Sequence, residues 1–254
     1  MLKKRIIPIQ LLMNGRLVKT RAFGDWRDVG DPVKSSGIYN SQYADELIFL
    51  NIAREGPTIE TLRSVIEAVS RVSFMPIAMG GGITSAADAA ELIRTGADKI
   101  VVNSAVYRRP EIIAETAATF GAQAVIVGID ARWDDASRTY QVYSNCGRHK
   151  EPCLLEQHVA NVIAAGAGEI MIQSIDRDGA MTGYDIELVR RVMAVSTIPV
   201  IAAGGSGNYA HLREVFLATD VSAAACGSLF NFSDSNPIRA KAYLANYGLN
   251  FKVV

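Results

Sequence analysis

Cysteine is scarce in this sequence: Cys146, Cys153 and Cys226 are the three in 254 residues. An odd, sparse set builds no disulfide framework and suits a reducing compartment. Net charge is missing too. The 26 Lys and Arg balance 26 Asp and Glu, so no global field draws the chain to nucleic acid or to an anionic membrane, and only local phosphate sites stay open. No apolar stretch approaches the roughly 20 residues that span a bilayer. The opening apolar run is short, carries Gln10 and ends without a small-residue cleavage site, so it reads as a first strand and not a signal peptide. A cytoplasmic protein with no nucleic-acid or membrane partner is expected. Cys146, His149 and Cys153 lie close together, but their spacing fits no zinc motif, so neither metal nor cofactor is expected. His158 and His211 read as helix-surface residues.

What is present is a regular alternation. Short apolar, β-branched runs occur at Arg5–Leu11, Glu46–Asn51, Pro76–Met79, Lys99–Val102, Ala124–Ile129, Glu169–Ser174, Pro199–Ala203 and Val221–Cys226. Amphipathic stretches such as Ile59–Ser73, Ser85–Thr95, Pro110–Phe120, Leu154–Ala165 and Ile186–Val195 lie between them. Asp31-Pro32 places a capping carboxylate before a proline suited to a first helical turn, and Thr84 or Ser85 can cap another helix. With no linker-like tract and 49% hydrophobic residues, the pattern predicts one domain, a closed (β/α)₈ (TIM) barrel, over an open doubly wound sheet.

The two halves, approximately 1–120 and 121–254, echo each other. Asp45-Glu46-Leu47-Ile48 recurs as Gly168-Glu169-Ile170-Met171, 123 residues on. Pro76-Ile77-Ala78-Met79 with Gly80-Gly81-Gly82 recurs as Pro199-Val200-Ile201-Ala202 with Ala203-Gly204-Gly205, and Asn103-Ser104 is answered by Gly227-Ser228. A two-fold half-barrel repeat of this kind places two similar sites across the barrel axis. Barrel ligands bind at the carboxyl ends of the strands. There, Gly81, Gly82, Asn103 and Ser104 in one half, and Gly204, Gly205, Gly227 and Ser228 in the other, form two candidate phosphate cradles, with glycines for close approach and helix N-termini supplying amides and a dipole. Glycines that merely permit tight turns are the competing reading, which the paired occurrence disfavours.

Two segments carry a family resemblance. Gln173-Ser174-Ile175-Asp176-Arg177-Asp178-Gly179 followed by Gly183-Tyr184-Asp185, together with Lys4-Arg5-Ile6-Ile7-Pro8, Gly15-Arg16 and Val18-Lys19, resemble the cyclase subunit of imidazole glycerol phosphate synthase. The likeness runs from residue 1 to nearly 250. It implies a barrel that takes ammonia from a glutaminase at its bottom face and delivers it to a bisphosphorylated ribulosyl substrate, aided by aspartates ending strands one and five. Asp130 matches the second of these. Leu11 stands where the first is required, and a leucine moves no proton. Gln173 replaces the usual threonine and Ala203 the usual serine. The resemblance further implies phosphate contacts near Asp178 and Gly179, substrate contacts from Lys19, Ser144 and Gln173, and a mobile cover over Thr20–Gly30 that includes Trp26; an ordinary surface lysine at Lys19, and a role for Asp176 and Asp178 in shaping the loop, are the competing readings. The excursion Arg132–Glu151 is expected to form a small hairpin over the site.

At the other end, Arg5, Glu46, Lys99 and Glu169 match all four members of the family's ammonia gate, and Asp98 matches a glutaminase contact. Ordinary salt bridges at strand starts are the bland alternative. A divergent branch of this family, with a leucine-rich strand-one end, is associated with amidation of sugars in surface polysaccharides. The first expectation is therefore ammonia delivery, with a sugar amidotransferase, to a nucleotide-linked acetamido sugar. An authentic histidine-pathway cyclase is the second, and a non-catalytic scaffold for a glutaminase the third.

Overall fold

The structure, a computed structural model, describes residues 3–53 and 58–252. Eight parallel strands close on themselves: Arg5–Met13, Leu47–Asn51, Ile77–Gly80, Lys99–Val102, Val125–Asp134, Glu169–Ser174, Val200–Ala203 and Ala223–Cys226. Each pairs with its neighbours in sequence order, and the ring is shut where Arg5–Pro8 run beside Ala223–Cys226. This is a (β/α)₈ barrel. Helices wrap it, and five of them fall on the expected amphipathic stretches: Thr58–Val69, Ala86–Thr95, Glu111–Phe120, Leu155–Ala164 and Ile186–Val195.

Side chains alternate along a strand, so each barrel strand has an inner and an outer row. The outer row joins the helices in a large core that includes Ile6, Leu12, Leu47, Phe49, Val102 and Leu188. The inner row is a separate, smaller cluster around Ile7, Ile48, Ala78, Ile126, Met171 and Ile201. Parity then puts Arg5, Ile7, Ile9 and Leu11 on the inner row of strand one, and Lys99, Val101 and Asn103 on that of strand four. The same rule places Ile126, Gly128 and Asp130 inside on strand five.

Helix starts follow local chemistry. Asp31 accepts from Lys34 N at 2.9 Å, with Pro32 in the first turn. Ser85, not Thr84, caps the helix Ala86–Thr95, in a reciprocal box with Asp88.

Strands one and five overrun the barrel, and this corrects two expectations. Strand one continues to Met13, turns at Asn14-Gly15 (φ 52° and 74°) and returns as Arg16–Thr20, which pairs with Trp26–Gly30. Trp26 therefore begins a strand and only about half of Thr20–Gly30 is loop. Strand five runs on to Asp134 and builds a three-stranded antiparallel extension with Thr139–Ser144 and His149–Leu154, one strand more than a hairpin. His158 is a further correction. It is 6% exposed and stacks on Tyr107 with ring centroids 4.3 Å apart, and burial pushes its pKa down to about 4.

Candidate functional site

The carboxyl ends of the strands open into a cavity of about 1160 Å³. Its wall contains Leu11, Lys19, Gly81, Gly82, Asn103, Ser104, Asp130 and Gln173. Asp178, Gly179, Gly204, Gly205, Gly227 and Ser228 also line it, and of the predicted phosphate and substrate contacts Ser144 alone is not in the wall. The fold thus gathers residues from both halves around one space.

Asp130 sits at the floor on strand five, opposite Leu11 on strand one, because first and fifth positions in an eight-membered ring are diametrically placed. In register it pairs with Gln173, which pairs in turn with Ala203. Leu11, Gln173 and Ala203, the positions where the resemblance leads one to expect other residues, therefore face one cavity or flank its floor. Burial raises the Asp130 pKa to about 7, with the Asp178 charge adding to the rise and a hydrogen bond from Asn103 Nδ2 at 2.8 Å opposing it. A carboxyl balanced near neutrality serves as acid in one step and base in another. The other Asn103 side-chain atom, Oδ1, is buried without a partner.

Glycine is required at the two cradles. Gly81 and Gly82 have φ of 90° and 82°, Gly204 and Gly205 of 89° and 109°. A Cβ at Gly81 would overlap Asn51 O, and one at Gly205 would overlap Gly183 O. The segments behind Ser104 and Ser228 differ from expectation. They are single turns, Ser104–Tyr107 and Ser228–Asn231, too short to sum a strong dipole. The donors on offer at these places are local amides and hydroxyls, not a helix dipole. Ser228 Oγ is buried and unpartnered, and Ser104 Oγ accepts from Asn145 N at 2.9 Å.

Lys19 is 6% exposed and its ammonium meets Asp178 Oδ1 at 2.8 Å. Thr20 Oγ1 donates to the other Asp178 oxygen at 2.7 Å, and Gln173 Nε2 approaches at 3.4 Å. The Lys19 stem also passes over Gly227. Asp178 thus positions Lys19, and a carboxylate offers a phosphate no attraction of its own. Ser144 is a correction. It is 2% exposed, turned away from the cavity, and its hydroxyl donates to Glu151 inside the strand-five extension.

Several lining residues carry no signal in the sequence reading: Asn51, Thr20, Arg108, Asn145 and Arg148. Their position directly after barrel strands, or on the extension of one, is the signal that would have found them. Across the mouth, the Phe23 ring lies against Gly147.

At the amino ends of the strands the four predicted charges form a closed cycle. Arg5 binds Glu46 at 2.9 Å and Glu169 at 2.5 Å; Lys99 binds the same two glutamates at 2.9 and 2.5 Å. Glu46 and Glu169 are 2% and 7% exposed. Burial outweighs both cations at Glu46, whose Oε1 has no partner, and raises its pKa. Burial also opposes ionisation of Glu169, but there Arg5 and Lys99 prevail and hold the pKa low. Asp98 is exposed and accepts from Ile77 N at 2.8 Å.

A charged ring at one mouth and a glycine-lined polar cavity at the other define the class, a (β/α)₈ barrel whose open pocket lies at the carboxyl ends of its strands. Residues 5–236 match the family described as "Histidine biosynthesis protein", and the chain belongs to it. It is 41% identical over 249 residues to the imidazole glycerol phosphate synthase subunit HisF of Lactiplantibacillus plantarum, covering 98% of this chain and 99% of that one. It is 38% identical over 252 residues to the subunit of the same name from Bacillus subtilis, covering 99% and 100%. The HisF subunit of Leuconostoc mesenteroides is also 38% identical over 252 residues, covering 99% of each. Among the described residues, no helix is long and apolar enough to cross a membrane.

Proposed function

We propose that this chain is the barrel subunit of a glutamine-fed synthase of the imidazole glycerol phosphate type. A glutaminase docks on the lower face, beside Asp98. Ammonia enters through the ring of Arg5, Glu46, Lys99 and Glu169, and meets a phosphorylated substrate in the upper cavity. One observation carries the reading: ring and cavity lie on the same inner row of the same strands. Arg5 and Leu11 are six steps apart on strand one, about 20 Å at 3.3 Å per residue, and the inner-row side chains between them, Ile7 and Ile9, are apolar. Neutral ammonia crosses such a path, whereas an ion pays the desolvation cost of a low-dielectric interior.

In the cavity, the cradles at Gly82–Ser104 and Gly205–Ser228 hold phosphates, Lys19 steers the anion and Asp130 moves protons. The names of the relatives support a cyclase of histidine biosynthesis ahead of the sugar amidation that the sequence reading put first. Amidation of a nucleotide-linked sugar for surface polysaccharide keeps second place on a single feature, Leu11. With leucine there, the side of the substrate facing strand one has no protein carboxylate, and water or the substrate itself must complete the proton transfers.

The test is turnover of the family's ribulosyl bisphosphate with ammonium chloride and no glutaminase. Turnover slower by about 10²–10⁴-fold than that of a two-carboxylate relative is expected for a site lacking one acid–base group. Complete inactivity with the substrate bound would transfer the chain to the sugar-amidating reading. A phosphate soak should place anions at both cradles, and empty cradles at saturating phosphate would remove the bisphosphate substrate.

A further inference from the structure

Outside the cavity, one buried ion pair stands directly behind the charged ring. Lys241, on the last helix, Pro237–Ala245, is 7% exposed. Its ammonium donates to Tyr43 O at 2.6 Å and meets Asp45 Oδ1 at 3.0 Å. The other oxygen of Asp45 accepts from Ile6 N at 2.8 Å, and Asp45 N donates back to Ile6 O at 3.3 Å. Asp45 precedes Glu46 and Ile6 follows Arg5. The carboxylate therefore clamps the two backbone positions adjoining the Arg5–Glu46 half of the ring.

The same clamp recurs without its cation. Asp98 N donates to Ile77 O at 2.9 Å and Asp98 Oδ2 accepts from Ile77 N at 2.8 Å, next to Lys99. Asp98 is exposed and forms no ion pair among the described residues. One half of the ring is thus anchored through a helix to the barrel wall, and the other rests on a solvent-facing carboxylate. We infer that Lys241 and Asp45 are positioning residues that fix the Arg5–Glu46 side of the ring; the inference rests on the ammonia-gate reading above.

The physical reason is the cost of an unpaired buried charge. Without the Lys241 ammonium, Asp45 must take up a proton or draw in water. Either change weakens its hold on Ile6 N and lets Arg5 and Glu46 move apart. Asp45 and Lys241 touch no reacting atom, so the effect is on geometry and leakage, not on chemistry at Asp130.

The experiment uses the full chain with Lys241→Met, which keeps most of the side-chain length, Lys241→Arg, which keeps the charge, and Asp45→Asn as a second route should Lys241→Met fail to fold. Amide exchange at Ile6 in Lys241→Met is expected to rise at least about tenfold against the barrel average through local opening, and its crystal structure should show Arg5 and Glu46 separated. Lys241→Arg should behave as the parent. With a glutaminase bound, glutamine consumed per product should rise at least about twofold while ammonium-driven turnover is unchanged. Unaltered Ile6 exchange with an intact Arg5–Glu46 contact would overturn the inference. A ring that opens without loss of coupling would instead uphold the positioning and overturn the gate.

Discussion

The two mouths of this barrel handle buried charge in opposite ways. At the lower mouth every member of the ring has two partners of opposite sign, and the cycle closes on itself. At the upper mouth Asp130 forms no ion pair among the described residues. Its nearest support is the neutral amide of Asn103, and its pKa drifts to about 7. A closed cycle of ion pairs is costly to break even with Glu46 Oε1 left over, whereas a buried carboxyl with no ion pair is poised to exchange its proton. Structure is concentrated at one end and chemistry at the other, and the same inner-row parity supplies both.

The sharpest way to break that contrast is to remove the reactive carboxyl. Asp130→Asn should lower ammonium-driven turnover by about 10²–10⁴-fold, the usual value of a positioned acid–base group, with little loss of fold; steady-state rates and a urea titration read the two. At the opposite end Lys99→Met should do the reverse to stability. It leaves two buried glutamates on one arginine, and breaking a buried network in this way costs about 3–5 kcal/mol in urea denaturation, whereas ammonium-driven turnover should stay near the parent's.

Titration sharpens the comparison further. Folded Asp130 keeps its proton up to about pH 7, while the unfolded chain releases it near about pH 3.9. This raised pKa favours the fold fully below the unfolded value, and the advantage is lost as pH rises through 7. Asp130→Asn has no such loss, so the variant's denaturation midpoint should gain on the parent's between acid and neutral pH. With deprotonated Asp130 as the base, the parent's kcat/KM should rise with pH through a midpoint at about 7 and level off above it. Asn103→Ala should move that midpoint upward, since the hydrogen bond it removes favours the charged form. The smallest effect belongs to Ser228→Ala. The lost hydroxyl has no partner in the fold, so stability should change by no more than about 0.5 kcal/mol, and phosphate affinity measured by calorimetry should fall.

Much of this was written in the sequence. The eight strands read clearly because parallel strands buried on both faces are continuous apolar runs, and their starts held the four ring charges in view. The errors were also legible after the fact. His158 was placed on a helix surface, yet Leu155, His158, Val159 and Val162 lie at the spacing of one buried stripe. Ser144 shares strand parity with Tyr140 and Val142, both on the buried face. Asn14-Gly15, where the chain turns from Arg5–Met13 into Arg16–Thr20, is a strong hairpin signal in its own right. Other features were beyond local reading. The Lys19–Asp178 pair spans 159 residues, and no pattern at either position announces the other. Likewise the stacking of Tyr107 on His158 exists only once two separate segments fold behind the strand-five extension.

The bond from Asn145 N to Ser104 Oγ has a consequence for how the cavity meets an anion. A serine hydroxyl is a free rotor, with its hydrogen aimed wherever a partner happens to be. An N–H resting on one lone pair turns the O–H away from the donor. The strand-five extension thereby stops the rotor before any ligand arrives. Shortening that extension would remove no atom from the cradle, yet it would return the rotational freedom, and an incoming phosphate would have to quench it anew.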